Sequence, residues 1–274
     1  MSDLVYSRRS DNVAATVTPT AHTGTFNANY PLTRLYDRDP ATAAKTTTTG
    51  DCRILWDFTS AQRVDAVWIP IHNAVAGTIL RFEGHTANTW APPTVSATHT
   101  VQAYGGDLPR GVYIDVTAAS GYTTTGFRYW SLFVPNAGII TALGEIFISS
   151  RKRTTRNLLI GLQRPLDRRV TMHERADGGY FKYDRGTDAF TVEGRVIPTT
   201  DAEYDDYLAL FEDVRGPLYP FPIVLEPLAS VPEGRLMQWV GGFRQVNKSG
   251  RVTTPTTIEE LSFTWQMVPR GRAL

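Results

Sequence analysis

Short apolar runs, each ended by a turn, constrain the first half of this chain most. Between residues 50 and 150 these runs are rich in β-branched and aromatic residues, and Gly, Pro, Asn and Asp separate them. Such runs are typical of strands joined by turns. No stretch before residue 150 keeps helical periodicity over three turns, so residues 1–150 are predicted to form a β-sandwich or jelly roll. The predicted strands are 53–58, 64–71, 78–84, 99–104, 111–116, 128–134 and 143–149.

Length and charge exclude several kinds of protein. The 274 residues suffice for one large domain or two ordinary ones. Lys and Arg (28) balance Asp and Glu (27), and the net charge of +1 gives no sign of a nucleic-acid or acidic-membrane partner. The first residues lack the apolar segment of a secretory signal, and no apolar run approaches the roughly 18 residues of a membrane span. The single cysteine, Cys52, excludes an internal disulfide and fits a reducing cytoplasm.

The second half of the chain is predicted to form a separate β domain over residues 158–274. A polar, basic segment at 151–157 lacks apolar periodicity and is our candidate linker. Apolar runs typical of strands follow it. The predicted strands are 157–163, 169–175, 181–186, 189–197, 219–227, 235–246 and 258–268.

One helix and one alternating strand stand out in that second domain. Thr200 or Asp201 is placed to cap a helix near 201–214, because either side chain accepts a hydrogen bond from the first helical turn. One face of this helix is apolar, at Tyr204, Tyr207, Leu208 and Phe211. The last strand carries apolar side chains at every second position, at Leu261, Phe263, Trp265 and Met267. A β-barrel or sandwich with one short helix is therefore the expected fold of this half.

The apolar run "RVDAVWIPIHNA" ends in His72 and Asn73, which allow two interpretations. A catalytic His needs a nucleophile and an orienting acid, and the chain has no G-x-S-x-G nucleophile motif. In the structural interpretation, both side chains satisfy loop amides and carbonyls at the end of a strand. The alternative is contact with a ligand.

Other polar and aromatic residues are candidates for a sugar site. Glu83, Asp115 and Glu145 lie in or beside predicted strands. A glycosidase would need a pair of such carboxylates, and the alternative is that strand alternation or a position at the rim explains each of them. Trp90 and Tyr122 lie in predicted loops. Exposed rings at such positions stack on sugar faces or, alternatively, fold back onto the sheet as anchors.

Two stretches resemble a known domain type. "LTRLYDRDPATAAKTTT…ILWDFTSAQRVDAVWIPIHN" resembles the front half of a galactose-binding-like (discoidin-type) β-sandwich, and "FRYWSLFVPN…LGEIFI" resembles its closing hairpin. The loop "LYDRDP" holds calcium in some relatives. The resemblance therefore implies Asp37 and Asp39, with nearby carbonyls, as candidate calcium ligands, and a metal-free hydrogen-bonded turn is the alternative.

The "HN" ending, joined to a second β domain, resembles proteins of tailed-bacteriophage tail modules. "YDDYLALFEDVRGPLYPFPIVLEP" is similar to the tail-tube-like fold of distal-tail and baseplate proteins. The resemblance implies a structural protein of the virion tail, made in the bacterial host cytoplasm, that is not an enzyme and carries no cofactor. It further implies a cyclic homo-oligomer, a hexamer or trimer, that contacts other phage tail proteins, without nucleic-acid sequence recognition or membrane insertion.

Specific residues are candidates for these contacts. The candidates for ring contacts are Tyr219, Phe221, Phe263 and Trp265. A host surface glycan is a further candidate partner, with His72, Asn73, Trp90 and Tyr122 as its contacts. A free carbohydrate-binding, lectin-like module is the main alternative, and a glycosidase is the third possibility.

Overall fold

A computed structural model of the chain describes residues 4–37, 39, 42–47, 49–102, 111–137, 142–154, 166–167, 170–174, 180–184, 189–196, 200–215, 218–224, 232–240, 244–247 and 258–267. Among these residues, no helix combines the length and the apolar character needed to cross a membrane.

Strands dominate the described elements, which confirms the predicted mainly β fold class. One α-helix, α1 (Asp201–Val214), and 3₁₀ helices at Arg9–Asp11, Val13–Ala15, Leu32–Leu35 and Val116–Ala118 accompany them. The strands are β1 (Val5–Tyr6), β2 (Thr20–Thr23), β3 (Ala44–Lys45), β4 (Gly50–Gln62), β5 (Ala66–Ile69), β6 (Ile79–His85), β7 (Val95–Thr100), β8 (Val112–Asp115), β9 (Phe127–Ala137), β10 (Ala142–Leu143), β11 (Phe147–Ser149), β12 (Lys152–Arg153), β13 (Leu166–Asp167), β14 (Val170–Glu174), β15 (Tyr180–Asp184), β16 (Ala189–Val196), β17 (Phe221–Val224), β18 (Arg235–Trp239), β19 (Arg244–Asn247) and β20 (Ile258–Met267).

The chain divides into two compact units. The first holds Met1–Arg153 together with Phe221–Arg235, and the second holds Thr154–Pro220 and Leu236–Ala273. Phe221–Arg235 is predicted to belong to the second domain, whereas the structure groups it with the first. Backbone pairing explains the difference, because β17 pairs with β1 and Val112 bridges Glu233. Pairing between segments so distant in the chain leaves no local mark in the sequence.

A five-stranded antiparallel sheet forms one layer of the first unit, in the order β2-β4-β9-β6-β7. Successive side chains of a strand point to opposite faces. Trp56, Phe82 and Trp130 point inward and are fully buried, and the rings of Phe82 and Trp130 stack with centroids 5.2 Å apart. Residues such as Arg53 and Phe133 therefore lie on the opposite, outer face.

A three-stranded antiparallel sheet, in the order β11-β5-β8, forms the other layer. Val67 and Ile69 of β5 belong to the same apolar cluster as Trp56 and Trp130 of the first sheet. Because one cluster includes inward residues of both sheets, the first unit is a β-sandwich, as the sequence predicts.

A further apolar layer covers the other side of the three-stranded sheet. Trp68 and Phe147 alternate with core residues and are nonetheless fully buried. Gly234 packs against this side, where an added Cβ would lie 2.2 Å from the Val112 carbonyl oxygen and 3.3 Å from the Trp68 ring. Only glycine permits so close an approach between two backbones.

The second unit is built around β20. β16 pairs with one side of β20, while β18 and β19 pair with the other side. β13 extends the sheet beyond β16, and β14 and β15 form a hairpin. Leu261, Phe263 and Trp265 are buried, as the alternation predicts. The side chain of Met267 lies outside the described residues.

Thr200 caps α1, whose bounds match the predicted helix. The Thr200 hydroxyl accepts a hydrogen bond from the Glu203 N–H at 3.2 Å, with the spacing of a capping box. The buried face is rotated from the predicted stripe, because Tyr207 is buried whereas Tyr204, Leu208 and Phe211 are only half-buried. The buried helix positions are Glu203, Tyr207, Leu210 and Val214.

Two further predictions need correction. The strand predicted at 99–104 lies instead at β7, Val95–Thr100. Its inward residues differ too little in hydrophobicity from its outward residues to reveal the strand in the sequence. The candidate linker 151–157 begins in ordered structure, because β12 pairs with β1 and Arg151 forms an ion pair with Asp115. Residues 155–157 and the strand predicted at 157–163 lie outside the described residues.

Candidate functional site

The segments behind the family resemblance meet at one corner of the sandwich. β3 pairs with β10, and Leu143 of β10 also bridges His72. The Ile146 N–H donates to the Leu35 carbonyl at 2.8 Å, and the Gly144 N–H donates to the Ile71 carbonyl at 2.8 Å. Backbone hydrogen bonds thus join "LYDRDPATAAK", the "IPIHN" strand end and the "LGEIFI" segment. We call this set of contacts the motif corner.

His72 and Asn73 close the motif corner. The Asn73 N–H donates to the Ala142 carbonyl at 3.1 Å, and the Asn73 Oδ1 accepts from the Ala142 N–H at 2.5 Å. His72 is 6% exposed. The structure therefore gives Asn73 the structural role that the sequence offered as one interpretation.

Asp37 and Asp39 form a hydrogen-bonded turn. The Asp39 N–H donates to Asp37 Oδ1 at 3.0 Å, and the Thr42 hydroxyl donates to Asp37 Oδ2 at 2.6 Å. Both carboxylate oxygens of Asp37 thus accept local hydrogen bonds, as in an Asx turn. Within the described ranges, no group of three or more His, Cys, Asp or Glu side chains is placed to hold a metal ion. Calcium binding at this turn stays a prediction.

The three carboxylates suited to a glycosidase are each bound to an arginine. Glu83 and Glu145 are 3% exposed, and Asp115 is half-buried. A general acid or base exchanges a proton with the substrate, whereas these carboxylates are occupied by guanidinium groups. The pairs are Arg53–Glu83 at 2.5 Å, Arg9–Glu145 at 2.5 Å and Arg151–Asp115.

Tyr122 anchors its loop to Asp65, the residue immediately before β5. Its hydroxyl donates to Asp65 Oδ1 at 2.5 Å, and Arg63 binds the same carboxylate through two nitrogens at 2.8 and 2.9 Å. Burial, followed by the hydrogen bond to Asp65, raises the pKa of Tyr122. Asp65 and His72 lie at opposite ends of β5, about 20 Å apart along an extended chain. Tyr122 and His72 therefore do not share one site.

Cys52 and His99 face the interior of the sandwich. Burial raises the pKa of the Cys52 thiol to about 11, so the reactive thiolate is scarce at neutral pH. Burial also lowers the pKa of His99, while a hydrogen bond with the Tyr113 backbone acts in the opposite direction. Neither group is placed for chemistry at the surface.

Trp90 belongs to a row of aromatic and cationic side chains on the outer face of the five-stranded sheet. The Arg53 guanidinium lies 4.7 Å from the centroid of the Trp90 ring and 4.4 Å from that of Phe133. Arg81 lies 5.9 Å from the same Phe133 ring. The strand register explains this order, because Arg53 pairs with Phe133 and Phe133 pairs with Arg81. We call Trp90, Arg53, Phe133 and Arg81 the outer-face row.

Trp90 reaches this row from the loop between β6 and β7. That loop must extend from β6 across β9 to β4, two strand spacings or about 10 Å. The Trp90 Nε1–H donates to Asn88 Oδ1 at 3.0 Å, and the His22 ring lies edge-on with its centroid 6.5 Å from that of Trp90. These contacts fix the orientation of a ring that is half-buried.

A buried ion pair supports the outer-face row. Arg53 Nη1 donates to Glu83 Oε2 at 2.5 Å and to Ser131 Oγ at 2.7 Å. These three residues are at most 7% exposed although they lie on the outer face. Glu83 neutralises Arg53, whereas Arg81 forms no ion pair with any residue that the structure describes. The row therefore carries one uncompensated positive charge.

Trp90 is a site candidate from the sequence, whereas Arg53, Phe133 and Arg81 are not. The strand "RILWDF" places Arg53 opposite the apolar positions, which is a signal for the outer face. Its neighbours across the sheet depend on the register between strands distant in sequence, which no local pattern gives.

The four candidates for ring contacts are largely enclosed within this chain. Phe221, Phe263 and Trp265 are at most 5% exposed, and Tyr219 is half-buried. β20, which carries Phe263 and Trp265, is paired on both sides. A neighbouring copy would thus meet neither these three side chains nor an open edge of β20, because the fold of the single chain already uses them.

No family model and no curated protein sequence matches this chain. Among solved structures, the chain is similar to the chitosan-binding module 1 of a chitosanase/glucanase from Paenibacillus sp. IK-5, with 20% identity and a TM-score of 0.35 over 51% of this chain and 98% of that module. It is also similar to a protein described as an alpha-L-fucosidase from Bacteroides thetaiotaomicron, with 11% identity and a TM-score of 0.36 over 53% of this chain and 30% of that protein. Because both TM-scores are low, the β-sandwich of this chain rests on its own sheet order and strand pairing.

Proposed function

We propose that this chain is a non-enzymatic structural protein of a tailed-phage virion, at the distal tail or baseplate. The motif corner carries the proposal. The sequence segments that resemble a galactose-binding-like sandwich are joined to one another by backbone hydrogen bonds, and the "HN" ending that resembles the phage-tail versions of that sandwich lies among them. The pairing of buried carboxylates with arginines supports the non-enzymatic part of the proposal, since those carboxylates are bound to guanidinium groups inside the fold.

Assembly into a closed ring of three or six copies is the mechanism we propose. With Phe221, Phe263 and Trp265 buried, ring contacts must use other surfaces. β2 is exposed at all four of its residues, and it is an edge strand of its sheet among the described strands. An edge strand offers unpaired backbone groups to a neighbouring chain. A head-to-tail contact that closes on itself would give the ring.

The oligomeric state tests this function. Light scattering after gel filtration is expected to give a trimer or hexamer, and negative-stain images are expected to show a ring with a central hole. Antibodies against the chain should also label the tail tip of purified virions. A monomer at all accessible concentrations, together with unlabelled virions, contradicts the proposal.

A carbohydrate-binding module is the second candidate, favoured by the half-buried Trp90 ring, part of which solvent reaches. A fixed aromatic ring beside hydrogen-bonding groups suits stacking against a sugar. In this case the chain is expected to stay monomeric and to bind a glycan array, and Trp90→Ala is expected to weaken the signal. Hydrolysis of chromogenic glycosides that is lost on substitution of Glu83 or Glu145 would instead indicate the glycosidase.

A further inference from the structure

We infer that the outer-face row binds a carboxylate-bearing glycan, such as a uronate polymer, with Trp90 as the stacking ring and Arg81 as the charge contact. This inference rests on the carbohydrate-binding candidate given above and names its ligand class. It selects the outer face of the five-stranded sheet, away from the motif corner and from Tyr122.

The charge balance of the row selects an acidic ligand. Arg81 and Glu83 lie two residues apart on β6 and therefore point to the same face. Glu83 would be the natural partner of Arg81, but it is bound to Arg53 at 2.5 Å. Asp57, farther along the same face of the sheet, is likewise bound by two nitrogens of Arg128. Because Glu83 and Asp57 are paired with other arginines, the Arg81 guanidinium would bind an anion of the ligand.

The aromatic part of the row selects a sugar. Arg53 lies against the Trp90 ring, and Asn88 holds the indole nitrogen, so the ring is ordered before any ligand arrives. An ordered ring loses little conformational entropy on binding. Exposed hydroxyls of Thr23 and Thr98, which share the register of Arg53 and Arg81, flank the row and suit hydrogen bonds to sugar hydroxyls.

The dimensions of the row fit more than one sugar ring. Trp90 lies over Arg53 on β4, and Arg81 is two strands away on β6. Two strand spacings amount to about 10 Å. One sugar stacked on Trp90 would therefore leave a neighbouring uronate to reach Arg81, so the structure favours a polymer or oligosaccharide over a monosaccharide.

Binding of the 274-residue chain to polygalacturonate, measured by calorimetry, tests the inference. Dextran serves as the neutral polymer and poly-L-glutamate as the acidic peptide. Of the three polymers, wild-type protein is expected to bind only polygalacturonate. Its affinity should fall as the salt concentration rises, because salt screens the charge contact. Trp90→Ala and Arg81→Gln are each expected to weaken binding about tenfold, and Arg81→Gln should also reduce the salt dependence.

Arg128→Gln is the matched control, because Arg128 is an arginine of the same sheet whose charge Asp57 already neutralises. It should bind like the wild type, and circular dichroism should show that all variants are folded. Failure to bind polygalacturonate, equal binding of dextran or poly-L-glutamate, or equal effects of Arg81→Gln and Arg128→Gln would overturn the inference. The oligomeric state of the same samples separates the two proposals, since rings that bind no uronate refute only the glycan site and monomers that bind it refute only the ring.

Discussion

Arg53→Met is expected to destabilise the first unit by about 3–5 kcal/mol, because it leaves Glu83 charged and unpaired under the Trp90 loop. The side chains of Arg53 and Glu83 are 8% and 4% exposed, and their closest atoms are 2.5 Å apart. With an effective dielectric constant of about 20, two charges about 4 Å apart attract by about 4 kcal/mol. Desolvation of both groups cancels much of that attraction, but removal of one partner loses the attraction and keeps the desolvation cost of the other.

Urea unfolding, followed by tryptophan fluorescence and circular dichroism, measures this loss. Arg128→Met is the control, since Arg128 and Asp57 form an ion pair on the same sheet with side chains 43% and 39% exposed, and its free energy of unfolding should stay close to the wild-type value. The double variant Arg53→Met/Glu83→Leu removes both buried charges and should recover most of the loss. Equal destabilisation by Arg53→Met and Arg128→Met, or no recovery in the double variant, would refute the reasoning.

Three further predictions concern the interior of the first unit. Native Cys52 should stay unlabelled by a thiol reagent at pH 8 and react fully in urea, because burial raises its pKa to about 11; rapid native labelling would contradict this. Burial lowers the pKa of His99 in the folded state below the unfolded value of about 6.5. The stability that neutral His99 provides is therefore fully present above about pH 6.5 and is lost as the pH falls through the folded pKa. His99→Leu should therefore flatten the acid side of the stability curve in urea titrations at several pH values, and an unchanged slope would count against it. Gly234→Ala should lower the free energy of unfolding by about 1–3 kcal/mol, and with it the melting temperature, because the new Cβ would lie 2.2 Å from the Val112 carbonyl oxygen. Gly77→Ala is the control: no atom lies within 4 Å of its Cβ, so only the strain of its positive φ should lower the stability.

Short apolar runs in the sequence were sufficient to identify the main strands of the first unit. The runs around Trp56, Val67 and Trp130 each form a strand that places these residues in the core. β7 was placed wrongly because its inward positions include Ala97 and His99, which differ little in hydrophobicity from the neighbouring threonines. A strand whose inner face is weakly apolar is defined by its pairing with β6, and pairing is a property of the folded chain.

The helix and the unit boundaries show the same limit. The Thr200 cap was visible because capping acts over three residues. The assignment of Phe221–Arg235 to the first unit was not visible, because its partners, β1 and β8, precede it by more than a hundred residues. Local chemistry fixes where an element begins, whereas long-range backbone pairing decides which unit the element completes.

The two candidate sites differ in how far a sequence can reveal them, and the reason is physical. His72 and Asn73 are conspicuous in the sequence because they interrupt an apolar run, yet Asn73 Oδ1 is occupied by the Ala142 amide and the pair closes a corner of the sheet. The outer-face row is inconspicuous because each of its members comes from a different strand or loop, and only the register of β4, β9 and β6 brings them into line. Polar residues that end an apolar run mark the position where the chain turns. The residues of a ligand-binding surface, in contrast, come from several strands that pairing brings together. The proposed glycan site on the outer face therefore needs direct tests, and Arg81, which forms no ion pair with any described residue, is the first position to substitute.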